Sequence, residues 1–219
     1  MLLTPLLKNL LVNYQTMLEP DEFASFENEV TRLLKHYYKH LSAFNAGAPR
    51  SRELNRLIDE QIELNSQIKT TCQKGCASCC HLEIEITSDE AALLAESIAS
   101  GAIINYDRLN EQAERSRKDT KWSTGFNKNN ACAFLGDDNA CTNYENRPST
   151  CRKHAVVSAV QECSTLGAAP VPRVLPMAEI ITSSALNLPD MSFASLPTML
   201  KKELEKTSTP ELGEIISII

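Results

Sequence analysis

The chain has 219 residues, 42% of them hydrophobic and 23% charged, which suits a globular protein with a substantial core rather than a disordered one. A chain of this length needs no covalent staples to fold, so the usual reason for a disulfide framework in a small secreted protein is missing. The net charge of −6 at pH 7 argues against a nucleic-acid partner, because phosphate backbones select for excess lysine and arginine.

The opening MLLTPLLKNLLVNYQTML reads as an amphipathic helix. Lys8 and Asn9 interrupt its apolar run, and it has neither a basic leader nor a small-residue cleavage site. No stretch reaches the roughly eighteen apolar residues of a membrane span, so the expected setting is the reducing cytoplasm. From Pro20 to Phe44 the apolar residues Phe23, Phe26, Val30, Leu33, Leu34, Tyr37, Leu41 and Phe44 recur at helical spacing, and the GAP at 47–49 closes that segment. KHYYKH at 35–40 lies inside this pattern and reads as a solvated helix face, His36 and His40 included. A third helix is predicted over 51–69, burying Leu54, Leu57, Ile58, Ile62 and Ile68.

After the cysteine-rich TCQKGCASCC at 71–80, HLEIEITSDE alternates as a half-buried strand does, with Leu82, Ile84 and Ile86 on one side and Glu83 and Glu85 on the other. Thr87 and Glu90 match a capping box, which starts a helix over AALLAESIA. Another helix is predicted over 106–118, then a polar ordered loop over 119–130 carrying Trp122. Beyond a second cysteine region, helices are expected over 177–186, 196–206 and 210–219. The whole reads as a mainly α protein with a few short strands around a cysteine-rich metal-binding core. Its expected regions are a helical one over 1–70, a cysteine cluster over 71–165 and a helical one over 166–219 packed on the same core.

The eight cysteines fall into two blocks, Cys72, Cys76, Cys79 and Cys80, then Cys132, Cys141, Cys151 and Cys163. In a reducing compartment such clusters serve metals or catalysis. Cys76 and Cys79 have the C-x2-C spacing that aims two sulfurs at one centre, as zinc and iron-sulfur loops do. With Cys72 the spacing becomes C-x3-C-x2-C, which holds three corners of a four-iron cluster. A radical S-adenosylmethionine enzyme is disfavoured, since no series of strand-helix units follows. Adjacent side chains on an extended backbone diverge, so Cys79 and Cys80 are not expected to share one ion, and Cys80 is open to a buried apolar role. Cys163, far from any motif, reads as a bystander. Pro148 suits a helix start and biases Arg147 to extended backbone, which lets Cys151 emerge from the first turn. Arg147, Arg152 and Lys153 add positive charge there, and Arg147 and Arg152 are candidates for offsetting a thiolate centre. His81 and His154 border the blocks and can replace a sulfur ligand. A thioredoxin-like pair lacks its βαβ setting, and neither a GxSxG elbow nor a glycine-rich phosphate loop is present.

Together these residues resemble the YkgJ-type cysteine-cluster (CxxCxxCC) family, a zinc- or iron-chelating domain. The likeness runs over about residues 72–152. Its first half is Cys72, Cys76, Cys79 and Cys80, with three residues rather than two in the first gap. Its second half is Cys132, Phe134, Leu135, Cys141, Tyr144, Arg147, Pro148, Cys151 and Arg152. The resemblance implies metal binding through Cys72, Cys76, Cys79, Cys80, Cys132, Cys141 and Cys151, with zinc, iron or an iron-sulfur cluster as the bound group. A similar cluster in flagellin lysine methylases keeps an iron-sulfur enzyme acting on a protein or small molecule as the alternative. Chelation is expected to loosen residues 70–155, and the acidic helices leave a protein partner open.

Overall fold

The computed structural model describes residues 1–116, 128–165 and 167–208. Among them are eight α-helices, several 3₁₀ turns and one two-stranded sheet, the mainly α architecture expected. No described helix is long and apolar enough to cross a membrane.

Helix α1 (Pro5–Met17) starts at Thr4, whose hydroxyl accepts the Leu7 amide and whose own amide donates to Ser183 Oγ at 3.0 Å. Helix α2 (Pro20–Leu41) opens on a reciprocal box between Glu19 and Glu22, which satisfies amides that have no intrahelical partner. Helix α3 (Ala48–Leu64) begins earlier than the apolar period predicts. Gly47 adopts φ 90° and donates its amide to Asp89 Oδ1 at 2.6 Å, so the GAP stretch opens α3 instead of only closing what precedes it. The helix ends before Ile68, at Asn65, which leaves helical backbone with φ −109° and donates its side-chain amide to the Gln61 carbonyl at 2.8 Å.

Helix α4 (Ser88–Ala99) carries the predicted capping box of Thr87 and Glu90. Buried Arg50 of α3 meets Asp89 of α4 at 2.5 Å and Asp190 at 3.1 Å, a paired charge that fixes these elements against each other. Helix α5 (Tyr106–Ala113) is shorter than expected. Most of the predicted polar loop, with Trp122, and the predicted 210–219 helix lie outside the described residues.

Strand β1 (Glu85–Thr87) covers only the end of the alternating stretch. Ile86 is buried and Ile84 packs on the same cluster, but Leu82 is exposed because a 3₁₀ turn over Ser78–His81 ends beside it. β1 pairs antiparallel with β2 (Phe193–Ser195), Ile86 opposite Ala194. A three-residue partner allows no longer ladder. Helix α6 (Ser149–Lys153) is a single short turn, α7 (Pro176–Ala185) crosses the molecule, and α8 (Leu196–Ser208) follows β2 directly.

Two apolar clusters share α7: Ile180 packs with Leu7, Val30 and Leu34, and Ile181 with Leu41, Leu54 and Ile58. A third cluster joins β1, α4, α5 and α8 to Ala133 and Phe134, with Cys132 and Cys141 against its edge. Burying a side chain like Phe134 contributes about 1.5–3 kcal/mol, so the second cysteine block is anchored by its apolar neighbours before any metal is considered.

Candidate metal centre

The first cysteine loop is pinned at both ends. Thr71 donates its amide to Val156 O at 3.0 Å and its hydroxyl to Ser158 O at 2.5 Å. Gly75 adopts φ 88°, the left-handed conformation that lets the chain turn between Cys72 and Cys76. At the far end the Cys132 amide donates to Cys80 O at 2.8 Å, so the two blocks meet through the main chain.

The second block folds back on itself through an antiparallel bridge between Leu135 and Cys141 and a 2.8 Å bond from Thr142 N to Phe134 O. Cys151 is held by α6, where Pro148 precedes the first helical residue and Arg147 is extended, φ −56° and ψ 140°. The first amide of α6 is not left to solvent. Ser149 N donates to Glu90 Oε1 at 2.6 Å, while Glu90 Oε2 accepts from Thr87. One buried carboxyl thus starts α4 and docks α6, a second role that the capping-box spacing does not encode.

All eight cysteines are free thiols. Cys79 and Cys80 lie on the 3₁₀ turn rather than on extended backbone, which overturns the argument that their sulfurs must diverge: the Cys80 thiol hydrogen-bonds to the Cys79 sulfur. That bond, more than any other influence, pulls the Cys79 thiol down to about 6, assisted by the Cys79 and Cys80 amides and Arg147 against the opposing effect of burial. Cys80 moves the opposite way, since its proton serves Cys79 and burial adds to the effect.

Burial raises the thiols of the second block. Cys132 is pushed up to about 11 by burial, opposed by the Phe134 amide that donates to it and by Arg108, and raised further by Cys141 and Cys79. Burial raises Cys141 as well, opposed by the Asn143 amide and Arg147. Burial raises Cys151 strongly, then Cys132, Cys79 and Cys141 add to it while Arg147 opposes. Cys79 thus acts on Cys132, Cys141 and Cys151, and Cys132 and Cys151 act on Cys80. Among the described residues no three His, Cys, Asp or Glu side chains stand in a ready metal-holding arrangement.

The two arginines differ. Arg147 lies 3.5 Å over the Tyr144 ring and faces the thiols. Arg152 points to Asp59 at 2.7 Å and to the Glu145 carbonyl, tying α6 to α3. Lys153 pairs with Glu179 at 2.7 Å. His81 Nδ1 lies 3.1 Å from Ala77 O, and burial lowers the His154 imidazole below its ordinary value. His40 is committed to Glu53 at 2.6 Å, and His36 packs edge-on against Tyr37.

Cys163, which the sequence leaves without a motif, comes back to the first cysteine block. Its 3₁₀ turn, Val160–Ser164, packs on the Ser78–His81 turn. Burial raises the Cys163 thiol, followed by Cys72, Cys76 and Cys79.

The CxxCxxCC family model, described as "Putative zinc- or iron-chelating domain", matches residues 71–168. That range takes in all eight cysteines. No curated protein and no solved structure matches the chain.

Proposed function

We propose, from the premise that residues 71–168 are a CxxCxxCC domain, that this protein binds zinc or iron through cysteine thiolates drawn from both blocks. The observation that carries the reading is the 2.8 Å bond from Cys132 N to Cys80 O, which holds the two blocks' sulfurs within reach of each other's charge. The donor set fits a thiophilic metal. Sulfur is a soft ligand suited to zinc and iron, and each buried thiol that must ionise has an amide or a guanidinium beside it to offset negative charge. Cys79, Cys132, Cys141 and Cys151 would hold the ion, with Cys80 beside Cys79 and Arg147 balancing the charge. When bound, the metal supplies a cross-link between the blocks and, at an open coordination position, a Lewis acid.

A second reading, an iron-sulfur enzyme, is favoured by one observation: the group has five sulfurs, more than the four corners of a single tetrahedral ion. A polar cleft of about 470 Å³ is lined by Arg52, Glu96, Asn143 and Asn146, with no cysteine in its wall. The reading places the protein in the cytoplasm, where thiols stay reduced.

Anaerobic purification, elemental analysis and a visible spectrum test both readings. Stoichiometric zinc in a colourless protein supports the first, and iron with labile sulfide in a brown one supports the second. Cys79→Ser and Cys151→Ser are expected to lower metal content. Full metal content in both variants refutes thiolate binding, and chelation is expected to lower thermal stability, since a ligand that binds the native state stabilises it by mass action.

A further inference from the structure

We propose that the polar cleft between α3, the end of α4 and the 3₁₀ turn Tyr144–Asn146 is a binding site for a free α-amino acid in its zwitterionic form. No cysteine stands in its wall, so the assignment goes beyond metal binding.

The fold holds the parts of this cleft in place. Arg52 comes from α3, Glu96 and Ser97 from the last turn of α4, and Gly101 from the segment that leaves it. Asn146 belongs to the 3₁₀ turn and Asn143 caps it. Thr142 Oγ1 donates to Ile103 O at 2.7 Å, which ties the segment after α4 to the segment that carries Asn143. Arg152 holds the turn through the Glu145 carbonyl. Walls fixed in this way need little ordering when a ligand enters.

One group in the wall lacks a partner. Asn143 is 6% exposed, its Oδ1 accepts from Asn146 Nδ2 at 3.3 Å, and its Nδ2 has no hydrogen-bond partner. A buried amide donor left unmet is costly, and an acceptor entering the cleft would complete it. The same cleft holds two opposite charges, Arg52 and Glu96, which pair with each other and are each about half exposed. An exposed ion pair contributes little to stability, so a ligand that satisfies both charges separates them at small cost. Helix α4 also ends here, and a helix C-terminus carries partial negative charge. At Gly101, where φ is 103°, no atom of the described residues lies within 4 Å of the place a Cβ would take, which leaves the main chain open to a ligand.

These features select the occupant by charge. A simple anion meets Glu96 and the negative end of α4. A simple cation meets Arg52 and leaves the Asn143 donor unmet, and a neutral polyol uses neither charge. An α-amino acid carries both signs on one carbon. Its carboxylate takes Arg52 and the Asn143 amide, and its ammonium takes Glu96 and the end of α4. Ser97 and Asn146 remain to line the side chain, which favours a polar one such as that of serine or glutamine.

The test uses the full chain, reduced, with L-serine and L-glutamine as probes in calorimetry and thermal denaturation. Saturable binding and a raised thermal midpoint are expected, with the N-acetyl and α-amide forms of the same amino acids, each lacking one charge, binding at least about tenfold more weakly. Arg52→Gln, at a half-exposed position, is expected to keep the unliganded thermal midpoint and to lose about tenfold in affinity. Asn143→Asp keeps the oxygen that Asn146 uses, replaces the donor with an acceptor, and is expected to lose at least as much. No saturable binding of either amino acid up to about 10 mM overturns the proposal. So do equal binding of the N-acetyl or α-amide forms, full affinity in Arg52→Gln, and binding of inorganic phosphate or glycerol in place of the amino acids. Should Asn143→Asp fail to fold, Arg52→Gln and the derivative series still decide the outcome.

Discussion

Glu90→Gln isolates the contact that positions Cys151. Glu90 is 3% exposed, and its two oxygens accept from Ser149 N at 2.6 Å, Thr87 N at 2.8 Å and Thr87 Oγ1 at 2.9 Å. Glutamine keeps the shape but replaces one oxygen with a donor. Whichever way the amide is turned, a buried N–H faces another N–H, and the loss of one hydrogen bond to a charged group costs about 1.5–3 kcal/mol. Removing the whole group in Glu90→Ala leaves all three donors without it and is expected to cost about 4 kcal/mol. The control is Thr87→Ala, which loses a helix cap for about 1 kcal/mol and leaves the Ser149 bond intact. Urea unfolding of the reduced chain measures stability, and zinc titration against a chromophoric competitor measures binding. Glu90→Gln is expected to weaken zinc binding by about tenfold, equivalent to about 1.4 kcal/mol, while Thr87→Ala leaves it unchanged. Wild-type stability and wild-type affinity in Glu90→Gln would refute the claim that this carboxyl holds α6 in place.

In metal-free protein Cys79 is expected to alkylate with a pH midpoint near 6, because an exposed thiolate is the reactive form. Cys80→Ala removes its hydrogen-bond donor and is expected to move that midpoint upwards; a midpoint that stays put refutes the pairing. Cys132, Cys141 and Cys151 all have raised thiol pKa values, so they are protonated at neutral pH and must lose protons to bind. Zinc affinity is therefore expected to rise with pH between 6 and 8, about tenfold per unit for each proton released, and calorimetry in buffers of different ionisation enthalpy counts those protons. Arg147→Gln removes the cation facing Cys79, Cys141 and Cys151 and is expected to lower zinc affinity. Arg152→Gln, which cuts the link to Asp59, is expected to lower stability with a smaller effect on affinity, and equal affinity losses in the two variants would remove the distinction.

The long helices are legible because each buries one apolar stripe, and the period of Val30, Leu34 and Leu41 or of Leu54, Leu57 and Ile58 is visible in one dimension. The cap at Thr87 and Glu90 is legible for the same reason: both partners lie within one turn. What escapes is set by partners distant in the chain. Glu90 and Ser149 are 59 positions apart, and nothing near either residue signals the other. Phe193–Ser195 is too short and too mixed to show alternation, so β2 is defined by its pairing with β1. The turn that turns Cys80 towards Cys79 depends on Ala77 at φ 22°, which no local composition marks. Cys163 has no companion within its own segment, and its neighbours become evident only once Val156 has met Thr71.

The bonds from Cys132 to Cys80 and from Thr71 to Val156 are drawn from the main chain, so exchanging a thiol for a hydroxyl does not sever them. Serine variants consequently retain facing loops, and a metal deficit in one of them reports ligation chemistry rather than a collapsed chain. Any gathering of the thiols around an ion then takes place between loops that the main chain already holds together.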